Sequence, residues 1–268
     1  MPSTIFNASC PAGRNAQPSP HPRRTILAGL AAAMVAKTAR AQTPAPQIAD
    51  PQIPPPQIAA PYIIVVFGDS QAEGLAAGLR RVSHQFPGAK IQNRTKPGTA
   101  ISQPQTYDWP AAIRDYTPDP AVTTAVLMFG GNDRVPMRPP TGATIAFASP
   151  AWSDTYHTEV KTILHSLADK KLRVIWVSQP ICQEPRYSRD MAYLNTIFRQ
   201  ETASENATYL DIWTTIADGD QYAAYGKTLT GATARLRLDD GIHFTPSGYD
   251  ILATRVMQTI QAPPDAPK

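Results

Sequence analysis

Five short apolar runs are spaced along the chain, at 62–67 (YIIVVF), 89–95 (AKIQNRT, the weakest), 121–129 (AVTTAVLMF), 172–178 (LRVIWVS) and 207–213 (ATYLDIW). Runs of this length, rich in Val and Ile and closed by glycine or polar residues, predict buried strands. Between them, apolar residues recur at helical spacing over 71–86, about 109–116, 151–169, 188–204 and 247–260. Thr245 followed by Pro246 supplies an N-cap and a first-turn residue for the last of these helices. Strands alternating with helices predict an α/β fold, a parallel sheet covered on both faces. The Pro-rich stretch 134–150 (RVPMRPPTGATIAFASP) has no such periodicity and predicts a loop long enough to serve as a lid or a substrate wall.

Outside 62–262 the pattern changes. Paired Arg23 and Arg24, a short apolar run from Ile26 to Ala36, Lys37, and small residues Ala39 and Ala41 around Arg40 have the anatomy of an export signal over residues 1–41. The order Arg-Arg-Thr-Ile-Leu is that of a twin-arginine signal, with an uncleaved anchor as the alternative. The apolar run is too short to span a bilayer. Residues 42–61 repeat Pro-Gln-Ile at a five-residue period, the composition of a semi-rigid tether or a motif for a cell-envelope partner. Residues 263–268 read as a C-terminal tail. The expected location is periplasmic or secreted, with no membrane span once the signal is removed.

Charge changes meaning once the leader is set aside. The whole chain carries +4, yet residues 1–41 hold five basic side chains and no acidic ones, which leaves 20 basic against 21 acidic. No basic field remains to suggest nucleic acid. With Cys10 in the leader, Cys182 is alone, and no neighbour in sequence is placed to activate it; a buried structural thiol is expected. His84, His157 and His165 lie in helical patterns without companions at ligand spacing, so no metal and no cofactor is expected.

Polar or glycine-rich groups sit where strands end: Gly68-Asp69-Ser70, then Gly98, then Gly130-Gly131-Asn132-Asp133, and finally Asp240-Gly241-Ile242-His243. In open parallel sheets, ligands bind beyond the carboxyl ends of strands. A serine hydroxyl becomes a competent nucleophile when an imidazole takes its proton and a carboxylate orients that imidazole. Asp240 and His243 are close enough in sequence to pair locally, leaving the other ring nitrogen for Ser70. The N–H groups of Ser70 and Gly98 and the amide of Asn132 are candidate oxyanion donors. A turn glycine after Pro97 accounts for Gly98 equally well. Asp69, Asp133 and Arg134 are possible substrate contacts, with a turn-former and a solvated arginine as the plainer readings of Asp69 and Arg134. Trp109, Trp152 and Trp213 suit either a sugar-binding wall or the core.

With these residues in view, the chain resembles the SGNH (GDSL) hydrolases. FGDS, the isolated Gly98, GGND and DGIH follow the order of that family's four blocks, and the resemblance runs over roughly 62–260. YDWP (107–110), GGNDR (130–134) and LRLDDGIHFTPSGYDILA (236–253), with the leader, resemble a periplasmic branch. The resemblance implies a three-layer α/β/α, flavodoxin-like fold with a five-stranded parallel sheet. It also implies acyl-ester chemistry without a metal: Ser70 as nucleophile, His243 as base, Asp240 as its orienter, and Gly98 and Asn132 as oxyanion donors. Gln71 stands where the family usually has leucine, a departure expected to alter packing only. The expected substrate is a small ester or an acylated glycan. An acyltransferase with the same triad and a non-catalytic glycan-binding module remain the alternatives. Neither a G-x-S-x-G elbow nor a G-x-G-x-x-G turn after the first strand occurs.

Overall fold

A computed structural model describes residues 62–139 and 141–262, so the expected export signal, Pro-rich tether and C-terminal tail lie outside the described residues. Strands β1 (Tyr62–Gly68), β2 (Ala89–Asn93), β3 (Val122–Met128), β4 (Arg173–Val177) and β5 (Thr208–Leu210) form one sheet in the order β2-β1-β3-β4-β5. All four neighbouring pairs are parallel. Helices α1 (Ser70–Val82), α2 (Trp109–Asp115), α3 (Pro150–Asp169), α4 (Pro185–Ser204) and α5 (Pro246–Gln261) cover the two faces. This is the expected three-layer α/β/α arrangement. Strand order reverses at β1, which is followed in sequence by β2 on one side and flanked by β3 on the other, so the β1 terminus is the switch point.

The strand runs divide cleanly between two cores because successive side chains point to opposite faces. Val65 and Phe67 of β1, Ala125 and Leu127 of β3, and Val174 and Trp176 of β4 pack with α2, α3 and α4. Ile64 and Val66, Val126 and Met128, and Ile175 and Val177 pack with α1 and α5. Trp109 and Trp152 are fully buried in the first core, which decides their role in favour of packing; Trp213 is only partly buried at its edge.

Helices α1 and α5 pack closely, and this contact matters for the site. A Cβ on Gly74 would fall 2.1 Å from the Tyr249 ring, and one on Gly78 would fall 2.7 Å from the Tyr249 carbonyl oxygen. Glycines four residues apart on one helix face therefore let the α5 backbone lie directly on α1. Arg81 on α1 adds a 2.7 Å ion pair to Asp250 and a 3.0 Å bond to the Pro246 carbonyl.

The segment 134–150 is tied to the body. Met137 and Ile145 exchange backbone hydrogen bonds of 2.9 Å, the Trp152 indole donates to the Val135 carbonyl, and Phe147 packs edge-on against Trp152 and Tyr193. The chain between β5 and α5 carries two small hairpins that the periodicity did not reveal: β6 (Ala217–Asp218) with β7 (Gln221–Tyr222), and β8 (Tyr225–Lys227) with β9 (Thr233–Arg235). Strands of two or three residues are too short to show a period.

Candidate active site

Ser70 is the first residue of α1, directly beyond the end of β1. Asp69 caps the helix, accepting from the Gln71 N–H at 2.9 Å, and its second oxygen accepts from the Gly131 N–H at 3.1 Å. One buried carboxylate thus binds the β1 corner to the loop after β3. His243 stands three residues before α5, and the close α1–α5 packing brings it to Ser70 across 173 positions of sequence. The Ser70 Oγ lies 2.7 Å from His243 Nε2, and His243 Nδ1 lies 2.7 Å from Asp240 Oδ2. Ionised Asp240 only accepts, so the neutral ring donates from Nδ1 and leaves Nε2 to accept the Ser70 proton.

The acidic member is held by its own loop. Asp240 Oδ1 accepts from the N–H groups of Ile242 at 2.8 Å and His243 at 2.9 Å. Partial burial raises its pKa, but these bonds and the His243 ring outweigh that effect, and the carboxyl sits below the usual range. It is charged at neutral pH, as an orienting group requires.

Beneath this loop lies a residue whose part in the site sequence reasoning missed. Arg237 has no exposed surface. It donates to the carbonyls of Ile181 (2.7 Å), Gly241 (3.3 Å) and Ile242 (2.9 Å), and its guanidinium lies 4.3 Å from the Phe244 ring centroid. Two of those carbonyls belong to the Asp240–His243 turn, so the guanidinium fixes that turn from below. Sequence offered one weak signal, an arginine alternating with Leu236 and Leu238 just before the turn.

Asn132 and Gly98 meet on the opposite flank. The Asn132 amide donates to the Thr99 carbonyl at 3.0 Å, and its second N–H has no partner among the described residues. Gly98 is exposed, with φ of +74°, a left-handed turn for which glycine is suited, and its N–H meets no acceptor among the described residues. A free donor therefore stands on each of two loops, after β2 and after β3, which the Asn132–Thr99 bond holds together.

Asp69 and Asp133 depart from the expectation of substrate contact, and Arg134 has partners within the fold. Asp69 and Asp133 have no exposed surface. Asp133 accepts from the Ser102 N–H at 2.8 Å, so it clamps the Gly98 loop from inside as Asn132 does from the rim. Burial pushes the Asp69 carboxyl up to about 7 against the lowering bond from the Gln71 N–H, and pushes Asp133 up to about 6 against the bond from Ser102. Arg134 is committed to Asp190 of α4 at 2.8 Å and lies over the Tyr187 ring at 4.1 Å. Asp69 and Asp133 are sealed by scaffold, and Arg134, part-exposed, is engaged by Asp190 and Tyr187.

Gln71 also departs from expectation. Its side chain is buried and donates to Gln179 Oε1 at 2.9 Å, and Gln179 in turn donates to the Phe129 carbonyl at 2.7 Å. The substitution for leucine changes a polar network that links the loops after β1, β3 and β4, not packing alone. Among the remaining candidates, His157 bonds Glu201 at 2.6 Å, His165 lies 3.2 Å from Glu205, and His84 bonds the Arg81 carbonyl at 2.7 Å. Cys182 is buried, with its thiol pushed up to about 11 by burial, an inert environment. Among the described residues no three His, Cys, Asp or Glu side chains gather at metal-binding spacing.

Sequence comparison matches residues 63–259 to the family described as "Protein of unknown function (DUF459)". The chain belongs to that family. No curated protein matches the DUF459 chain. Solved structures show the SGNH (GDSL) hydrolase fold that the blocks imply. A lipolytic protein of the G-D-S-L family from Veillonella parvula aligns at 16% identity and a TM-score of 0.52, covering 74% of this chain and 97% of its own. A GDSL-like lipase from Bacteroides thetaiotaomicron aligns at 17% and 0.52, over 74% and 87%. An acetyl xylan esterase from Geobacillus stearothermophilus aligns at 14% and 0.53, over 76% and 96%.

Proposed function

We propose that this protein is an exported serine esterase that removes short acyl groups, acetyl above all, from a cell-envelope polysaccharide. The observation that carries the reading is the continuous relay of two 2.7 Å contacts from Ser70 through His243 to Asp240. In the first half-reaction, Ser70 Oγ bonds to the ester carbonyl carbon as its proton passes to His243 Nε2. The resulting oxyanion accepts from the N–H groups of Ser70 and Gly98 and from the free N–H of Asn132. Collapse breaks the carbon–oxygen bond to the sugar, and His243 returns the proton to the departing alkoxide. Water then attacks the acyl-serine, giving a proton to His243, and expulsion of Ser70 releases the acid.

The acetyl preference is supported by the acetyl xylan esterase among the structural neighbours, and export by the paired-arginine leader. A chain-length series of p-nitrophenyl esters, run beside an acetylated glycan, tests the reading. Wild type should cleave acetyl esters fastest and release acetate from the glycan, and Ser70→Ala should do neither while remaining folded. Undiminished turnover by Ser70→Ala would overturn the assignment.

A further inference from the structure

The first loop of the site leads directly into a second concavity. A cleft of about 550 Å³ opens at the carboxyl ends of β1 and β2, lined by Phe67, Arg94, Lys96, Tyr107, Trp109 and Tyr116 among others. Its size is that of a small-ligand site. It borders the Ser70 corner through backbone: the Lys96 N–H donates to the Gly68 carbonyl at 2.8 Å, and the segment continues to Gly98 and Thr99.

The two cations in this cleft are arranged differently from most surface lysines and arginines. The Arg94 guanidinium lies 5.6 Å from the Tyr116 ring centroid, and the Lys96 ammonium lies 4.7 Å from that of Tyr107. Ring faces hold both heads in place and leave N–H donors available to a ligand. Among the described residues neither cation has a carboxylate within ion-pair distance. Asp115, which also borders the cleft, is paired with Arg114 at 3.3 Å.

The walls are preformed. The Tyr116 hydroxyl donates to Gln92 Oε1 at 2.7 Å, and its ring meets Phe67 edge-on at 5.3 Å. Tyr107 packs edge-on against Trp109 at 4.7 Å, and the Trp109 indole donates to Thr99 Oγ1 at 3.0 Å. Partly buried tyrosines in a fixed wall suit the apolar faces of sugar rings. Each cation rests on a different tyrosine, so the cleft presents two separate positive points. That pattern matches charges carried one to a ring along a chain, as in a uronic-acid polysaccharide, better than one compact dianion.

We infer that this cleft is a subsite for an acidic, carboxylate-bearing glycan, with Arg94 and Lys96 binding uronate carboxylates on sugars next to the acylated one. The inference rests on the esterase reading and names the substrate class for it.

Binding separates the two claims. Calorimetric titration of the Ser70→Ala protein with tetragalacturonate should give saturable binding, and the fully methyl-esterified tetramer, with the same rings and no charge, should bind at least about tenfold more weakly. Arg94→Gln and Lys96→Gln should each weaken tetragalacturonate binding by about tenfold. Lys227→Gln, on the β8 strand away from the cleft, should leave it unchanged. Equal binding of the charged and esterified tetramers, an equal loss from Lys227→Gln, or preference for inorganic phosphate over the tetramer would overturn the inference. None of those results touches the Ser70 relay, whose own failure appears as turnover by Ser70→Ala.

Discussion

The two flanks of Ser70 are built on opposite principles. On one side the Asp240–His243 turn is held by a buried guanidinium that spends its donors on backbone carbonyls. On the other side Arg94 and Lys96 are exposed, rest on aromatic rings and keep their donors free. The same residue type therefore serves two ends. An arginine sealed in the core fixes geometry at a desolvation cost that its hydrogen bonds must offset. An arginine on a ring keeps its charge for something else. Chemistry on the first flank needs atoms placed to within a few tenths of an ångström, and recognition on the second needs charge that a ligand can reach.

The comparison breaks most sharply at His243. His243→Ala should lower ester turnover by about 10³-fold or more, because the serine then has no proton acceptor. Circular dichroism and unfolding midpoints should stay close to wild type, since the side chain is part-exposed.

A smaller effect is expected one layer down. Arg237→Met keeps bulk but leaves the carbonyls of Ile181 and Ile242 without their donor, while Gly241 keeps the Gln183 N–H, at a cost of about 1–3 kcal/mol for each group that water cannot reach. Denaturant unfolding should show that loss, and kcat for p-nitrophenyl acetate should fall more than KM rises. An equally large change at Arg94→Gln in unfolding would erase the contrast between flanks.

Gly78→Ala is a test of how the flanks are brought together. The new methyl would lie 2.7 Å from the Tyr249 carbonyl, so α5 must retreat from α1. Overpacking of this kind costs about 1–3 kcal/mol, partly offset by the better helix propensity of alanine. Turnover should drop with stability, because the shift moves Ser70 away from His243.

The gentlest probe is pH. Asp69 and Asp133 have pKa values of about 7 and about 6 in the fold, above their unfolded values, so the native state holds more protons than the unfolded chain between about pH 4 and pH 7. Stability contributed by these groups is present at low pH and lost as pH rises through that window, by up to about 1.4 kcal/mol per pH unit for each carboxyl. Asp69→Asn should flatten the slope of the unfolding midpoint against pH. Stability that rose steadily from pH 5 to pH 7 in wild type, with the slope unchanged in Asp69→Asn, would contradict the assignment of these carboxyls.

Much of this was readable in the chain because it rests on period and order. The five parallel strands show as apolar runs, Ser70 and Asn132 follow the ends of two of them, and Asp240 and His243 sit in the turn before the last helix. What escaped depends on partners remote in sequence. Arg237 reads as one more charged residue until Ile181 is seen above it. Gln71 reads as filler until Gln179 arrives from the end of β4. Asp69 and Asp133 read as possible substrate contacts because burial is a property of the folded whole. Arg94 and Lys96 are separated by 22 and 11 positions from Tyr116 and Tyr107, the rings that hold them, and no local pattern joins them.

The central claim is that Ser70 becomes acylated through the His243 relay. Exposure to a fluorophosphonate, followed by intact-mass measurement and peptide mapping, tests it most directly. The account predicts one adduct, located on Ser70 and strongly slowed by His243→Ala. A properly folded protein that takes up no label, or carries it on another residue, would contradict it.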